Sequence, residues 1–300
     1  MIKKYIRVIK NLFAYPYKRN FINRLTQGWF PVLITYPVFP KPRYDYNDKN
    51  PYPFLNEIIN KNRKVYKRQL MVLKKYKNNL RKIKTVQPDS IEEPYWKNDW
   101  FTGLDAIALY GLIASVKPKL YLEIGSGNST KFAKRAISDH NLSTKIVSID
   151  PHPREEIDLL SDEIIRMPLE EVDLGLFDRL TSNDILFFDG SHRCFMNSDV
   201  TIFFLEILPK LPSGILIHIH DIHLPYDYPS QRALHYESEQ YLLAAMFFCG
   251  CTKYEIVLPN KFILSDESLT SCLNELWDLK QTSIPKKLTF RSFRFAKNRI

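Results

Sequence analysis

Two short stretches gather most of the side chains able to do chemistry. One is Phe187-Phe188-Asp189-Gly190-Ser191-His192, the other His218-Ile219-His220-Asp221-Ile222-His223. Each ends an apolar run with a carboxylate beside imidazoles. Paired carboxylates are hard oxygen donors suited to Mg²⁺. An adjacent histidine such as His220 shifts the donor set toward Zn²⁺, Mn²⁺ or Fe²⁺, unless it only hydrogen-bonds Asp189 or the loop. Imidazole titrates near neutrality, and a hydroxyl gives up its proton only at very high pH. His192 is therefore a candidate to remove a proton from a hydroxyl. His218 shares a strand face with His220 and reads as buried, while His223 reads as lining a mouth.

A third stretch carries binding chemistry: Glu123-Ile124-Gly125-Ser126-Gly127-Asn128-Ser129-Thr130, followed 27 residues after Glu123 by Asp150. Gly125 and Gly127 permit a tight turn and close approach of a ligand. Ser129 or Thr130 can cap the helix that follows. Asp150, ending the next apolar run, suits the two hydroxyls of a ribose. The dinucleotide pattern GxGxxG would need glycine where Thr130 stands. Glu123 would repel a pyrophosphate but attract the ammonium of an amino-acid tail.

These residues need elements to position them. GLDAIALYGLIASV reads as a helix ending at Lys117-Pro118. Beyond it, apolar runs at 120–125, 145–150, 163–168, 184–190, 214–221 and 254–259, and a last one at 292–296, alternate with helical segments. That alternation predicts an α/β fold with a mostly parallel sheet covered on both faces. Ligands of such sheets bind at the carboxyl ends of the strands.

LDAIALYGLI, KPKLYLEIGSGNST, ILFFDGSH and HIHDIHLPYDYP, spread over residues 104–229, together resemble the class I S-adenosylmethionine-dependent methyltransferases. The subgroup resembled includes the metal-dependent sugar O-methyltransferases of macrolide and aminocoumarin biosynthesis. The resemblance implies a Rossmann-like sheet of seven strands and S-adenosylmethionine as cofactor. It implies cofactor contacts from Glu123, Gly125, Ser126, Gly127, Ser129, Thr130, Asp150 and Asp189. It further implies a divalent metal at Asp189 and Asp221, with His220 where the family has a second acid, and His192 as general base. The acceptor would be a small hydroxylated molecule, a sugar or glycoconjugate. A hydroxylase built on the same fold is the competing reading, since a His/Asp site also suits Fe²⁺.

The chain carries +10 overall, but residues 1–100 hold 22 lysines and arginines against 7 acids, and the remainder 21 against 26. The basic extension, residues 1–99, is expected to precede a catalytic domain at 100–300. Residues 1–13 read as a basic amphipathic helix able to rest on an anionic membrane. Residues 31–55, rich in proline and tyrosine, read as an extended wrapping segment, and 56–84 as one long basic helix. No RNA-binding module or stacking pattern is present, which argues against nucleic acid as partner. Subunit joining is a further role for this region. No secretory signal or apolar span of about 18 residues occurs, and the four cysteines form no CxxC pair, so a cytoplasmic protein with reduced thiols is expected.

Overall fold

A computed structural model describes residues 38, 40–250, 252–277 and 293–297. The sheet has seven strands: β1 (Leu120–Ile124), β2 (Lys145–Ile149), β3 (Glu163–Ile165), β4 (Ile185–Phe188), β5 (Leu216–Ile219), β6 (Tyr254–Pro259) and β7 (Phe293–Lys297). Their order is β3-β2-β1-β4-β5-β7-β6. The first five are parallel, and β7 runs antiparallel between β5 and β6. β1, β4 and β5 are buried at every position, which explains their unbroken apolar sequences. Strand order reverses between β1 and β4. The backbone pairing continues past the strand ends: Gly125 N donates to Ile149 O, Asp189 N to Ile124 O and His220 N to Phe188 O, at 2.8–2.9 Å. That ladder brings the glycine turn, Asp189 and His220 to one edge.

Helices α1 (Pro53–Asn60), α2 (Arg63–Lys74), α3 (Gly103–Val116), α4 (Asn128–Asp139) and α5 (Glu239–Phe248) complete the frame. α3 is almost wholly buried because α2 and α4 both pack against it. At Gly111 of α3, a Cβ would meet Leu73 Cδ2 of α2 at 2.4 Å, so glycine allows the two helices to touch.

The extension from Lys41 onward belongs to the same compact unit as the sheet. Leu55, Ile59, Tyr66, Leu70, Leu73, Leu80 and Ile83 all join the one hydrophobic core. Each such side chain contributes about 2 kcal/mol by leaving water. Residue 99 therefore marks no physical boundary. Nor is 56–84 a single helix. A straight helix of that length would run about 43 Å. Instead the chain breaks at Lys61–Asn62, where Asn62 Nδ2 bonds Ile256 O of β6 at 3.3 Å, and again after Lys74. The breaks keep the apolar stripe turned to the core. The proposed helix at 1–13 lies outside the described residues.

Within the tyrosine-rich segment, Arg43, Tyr44 and Tyr52 are bonded to the loop after β5. Arg43 N and Tyr44 N donate to Asp227 Oδ2 at 2.8 and 2.9 Å, and the Tyr52 and Tyr241 hydroxyls donate to its Oδ1 at 2.6 and 3.0 Å. Asp227 is buried with Tyr226 and Tyr228, so Leu224–Pro229 is a closed loop whose acid fastens the extension. Cys194, Cys249 and Cys272 are free thiols. Among the described residues no helix is long and apolar enough to cross a membrane.

Candidate active site

The chain leaves β1 through Gly125 at φ 79° and Gly127 at φ 149°. A Cβ on Gly125 would stand 2.0 Å from the Asp189 carbonyl oxygen, so only glycine lets β1 and β4 close at this point. Beneath the turn, Glu123 is fully buried. Its carboxyl accepts from the hydroxyls of Thr130 (2.5 Å), Ser148 (2.6 Å), Tyr121 (3.0 Å) and Ser129 (3.3 Å). Burial pushes its pKa up to about 7, against the downward pull of those four bonds. Thr130 Oγ1 also accepts from Gly127 N at 3.0 Å, which caps α4.

This arrangement corrects one expectation. Glu123 is no partner for a ligand's ammonium: it lies under the turn and pins it. Thr130 serves the same network. Gly125 and Ser126 face the ligand side, and Gly127 and Ser129 border a recess next to it.

A cleft of about 380 Å³ opens over the carboxyl ends of β1, β2 and β4. Asp150 holds its floor: Oδ2 accepts from Ser126 N (2.8 Å) and Ser126 Oγ (3.1 Å), Oδ1 from His152 N (2.8 Å). Oδ1, which accepts a single bond, keeps acceptor capacity for a ribose hydroxyl. Ile149 beneath and Met167, Pro168 and Leu169 after β3 give an apolar slot for a flat ring. Asp189 and His192 form the opposite wall.

That wall is densely charged. His192 Nδ1 lies 2.7 Å from Glu239 Oε1, while Nε2 faces Asp189 (3.4 Å) and Asp221 (3.7 Å). His220 Nδ1 lies 3.2 Å from Asp189 Oδ1, and its Nε2 3.8 Å from Asp105 of α3. Arg232 Nη2 is 2.6 Å from Asp221 and also pairs with Glu237. Burial alone would lower the imidazoles, but the carboxylates outweigh it. Glu239, Asp189 and Asp221 raise His192 to about 10, and Asp189 and Asp221 raise His220 to about 9. Despite burial, Asp189 and Asp221 are held below the usual carboxylate range by these histidines, with Arg232 acting on Asp221. His192 (φ 63°) and Asp221 (φ 55°) also occupy left-handed backbone, a strain typical of functional loops.

The structure brings Asp189, His192, His220 and Asp221 together, with His192 Nε2 and His220 Nδ1 each within 3.2–3.8 Å of both carboxylates. As arranged, the carboxylates already have internal partners: Arg232 pairs with Asp221, and His220 lies against Asp189. Among the described residues no group of three or more histidines, cysteines or acids has metal-site geometry. His218 is buried edge-on against Phe187. His223, expected at the mouth, is buried too.

Sequence alone marks Glu239 and Gln240 as the start of a helix but assigns them no role, and it does not single out Arg232. Gln240 accepts from His223 N and donates to Tyr226 O, which fixes the loop after β5. The available signal was an acid and an amide heading the otherwise apolar helix EQYLLAAMFF.

Residues 122–222 match the family model described as Methyltransferase domain. A 98-residue stretch is 33% identical to an uncharacterized protein of Archaeoglobus fulgidus, covering 30% of this chain and 44%, less than half, of that one. Similar solved structures include the O-methyltransferase TomG of Streptomyces achromogenes, involved in tomaymycin synthesis and bound to S-adenosylmethionine (15% identity, 63% of this chain, 77% of that one, TM-score 0.36). An O-methyltransferase of Bacillus cereus bound to S-adenosylhomocysteine is another (13%, 77% and 90%, TM-score 0.38). The family match runs from β1 to just past β5, over the strands that build the cleft.

Proposed function

We propose that this chain transfers a methyl group from S-adenosylmethionine to the hydroxyl of a small acceptor, a sugar or glycoconjugate. The carrying observation is one continuous cleft at the strand-order reversal. Its cofactor side holds Asp150 and the glycine turn, and its other wall an oriented His192. S-adenosylmethionine supplies an activated methyl group. Asp150 takes the ribose hydroxyls, and Met167 and Pro168 lie along the adenine.

On the opposite wall Glu239 fixes Nδ1 of His192, so that Nε2 faces the cleft, the geometry of an oriented general base. The hydroxyl proton would pass to Nε2 as the acceptor oxygen bonds the methyl carbon in line, the carbon–sulfur bond breaks with its electron pair going to sulfur, and S-adenosylhomocysteine leaves. Because the carboxylates raise His192 to about 10, its base form grows with pH, and turnover should rise from pH 7 toward 10. No step runs through a metal. Calorimetric titration with S-adenosylhomocysteine, with NAD as control, tests the cofactor. Binding of NAD alone, or of neither, would remove this reading.

A further inference from the structure

Next to the cleft lies a smaller recess that shares Ser126, Arg154 and Asp189 with it and is completed by Trp100, Asn128 and Glu155. Three features of its walls have no explanation in the fold alone. The guanidinium of Arg154 rests on the Trp100 ring, 4.2 Å from its centroid, and makes no hydrogen bond or ion pair among the described residues. Trp100 itself is 59% exposed, so the stacked pair stands at the mouth of the recess. Asn128, the first residue of α4 and only 5% exposed, has a buried Oδ1 without a hydrogen-bond partner. Its Nδ2 reaches Glu155 at 3.4 Å, and Glu155 is in turn held by Lys131 at 2.6 Å.

These groups want opposite charges. A guanidinium at the head of a twelve-residue helix, whose open amides and dipole add positive potential, calls for a carboxylate. An orphaned carbonyl oxygen beside Glu155 calls for an N–H donor, best a cationic one. Both demands within one small recess are met by the zwitterionic end of an amino acid. The recess opens from the cleft on the glycine-turn side, away from the slot at Met167, so it lies where the amino-acid tail of an adenosyl cofactor would run.

We propose that Arg154, stacked on Trp100, clasps the α-carboxylate of the cofactor while Asn128 Oδ1 receives its α-ammonium. The inference rests on the methyltransferase reading, and it moves the ammonium contact from Glu123 to Asn128. Stacking on the indole holds the flexible guanidinium ready and leaves its edge for the carboxylate.

The test is calorimetry on the full chain with two ligands, S-adenosylhomocysteine and its decarboxylated analogue, in the wild type and in Arg154→Gln. Arg154 is exposed, so the substitution leaves folding intact. The wild type should prefer S-adenosylhomocysteine by about tenfold or more, the size expected of a charge-assisted pair. Arg154→Gln should lose that preference and bind the analogue within about twofold of the wild type. Equal wild-type affinity for the two ligands overturns the clasp and spares the methyltransferase reading. So does an equal loss of both in the variant. Binding of neither ligand by the wild type overturns both.

Discussion

The two walls of the cleft are built on opposite principles. On the cofactor side, a backbone turn is held by hydroxyls and amides around one buried carboxyl: Tyr121, Ser129, Thr130 and Ser148 all donate to Glu123. On the transfer side, His192, His220 and Arg232 are set against Asp189, Asp221, Glu237 and Glu239, most of them buried. The first wall is local, made within 30 residues of chain. The second is assembled from four separate stretches. A binding surface can be rigid and nearly neutral. A surface that moves a proton needs groups whose charges hold one another in balance.

The largest effect should come from breaking the local wall at its tightest contact. Gly125→Ala places a methyl against the Asp189 carbonyl at 2.0 Å and demands φ 79° of a non-glycine residue. We expect a loss of about 4 kcal/mol or more in chemical denaturation, with cofactor binding abolished. Next comes the charged wall. Glu239→Ala leaves His192 without its 2.7 Å partner in a buried setting, at a cost of about 3 kcal/mol. The pH dependence has a definite sign. A histidine raised to about 10 when folded stabilises fully below its unfolded pKa of about 6.5 and loses that contribution as pH climbs toward 10. Wild-type melting temperature should therefore fall from pH 7 to 10 more steeply than that of His192→Asn. A parallel decline in both would show that His192 carries no such proton.

The same contrast explains what could be read in the sequence. The glycine turn, its acid and the strand ends are local patterns, and strand period and order place them with little freedom. Asp189, His192, His220 and Asp221 were legible because each sits at or just past the end of an apolar strand. Glu239 and Arg232 were not, since nothing near them in sequence says which strand end they meet. The role of Glu123 was misread for a related reason. An acid beside glycines looks the same whether it faces a ligand or lies under the turn, and only Tyr121 and Ser148, on the buried strands, decide it. The break at Asn62 likewise depends on a β6 carbonyl nearly 200 residues away.

Arg232 offers a way to sharpen the comparison. Its guanidinium sits where a cation would be needed to hold Asp221. Arg232→Ala should destabilise by about 2–3 kcal/mol, since it removes the guanidinium that Asp221 and Glu237 share. The variant, unlike the wild type, should then gain measurable stability from millimolar Mn²⁺ in a thermal-shift assay, because a carboxylate-rich site without its internal cation favours an added one. Stabilisation of the wild type by the same ion would show that the internal cations yield to metal, and the transfer wall would need to be redrawn.

The smallest effect belongs to the cofactor side. Ser126 reaches Asp150 twice, through its amide at 2.8 Å and its hydroxyl at 3.1 Å. Ser126→Ala removes only the longer bond, so stability should change by about 1 kcal/mol or less. Affinity for S-adenosylhomocysteine should drop by about threefold, through a looser Asp150, with no change in the pH dependence set by the opposite wall. A shift in that pH dependence would mean that the two walls are electrostatically joined through Asp189, which borders both the cleft and the recess, and the division drawn between them would fail.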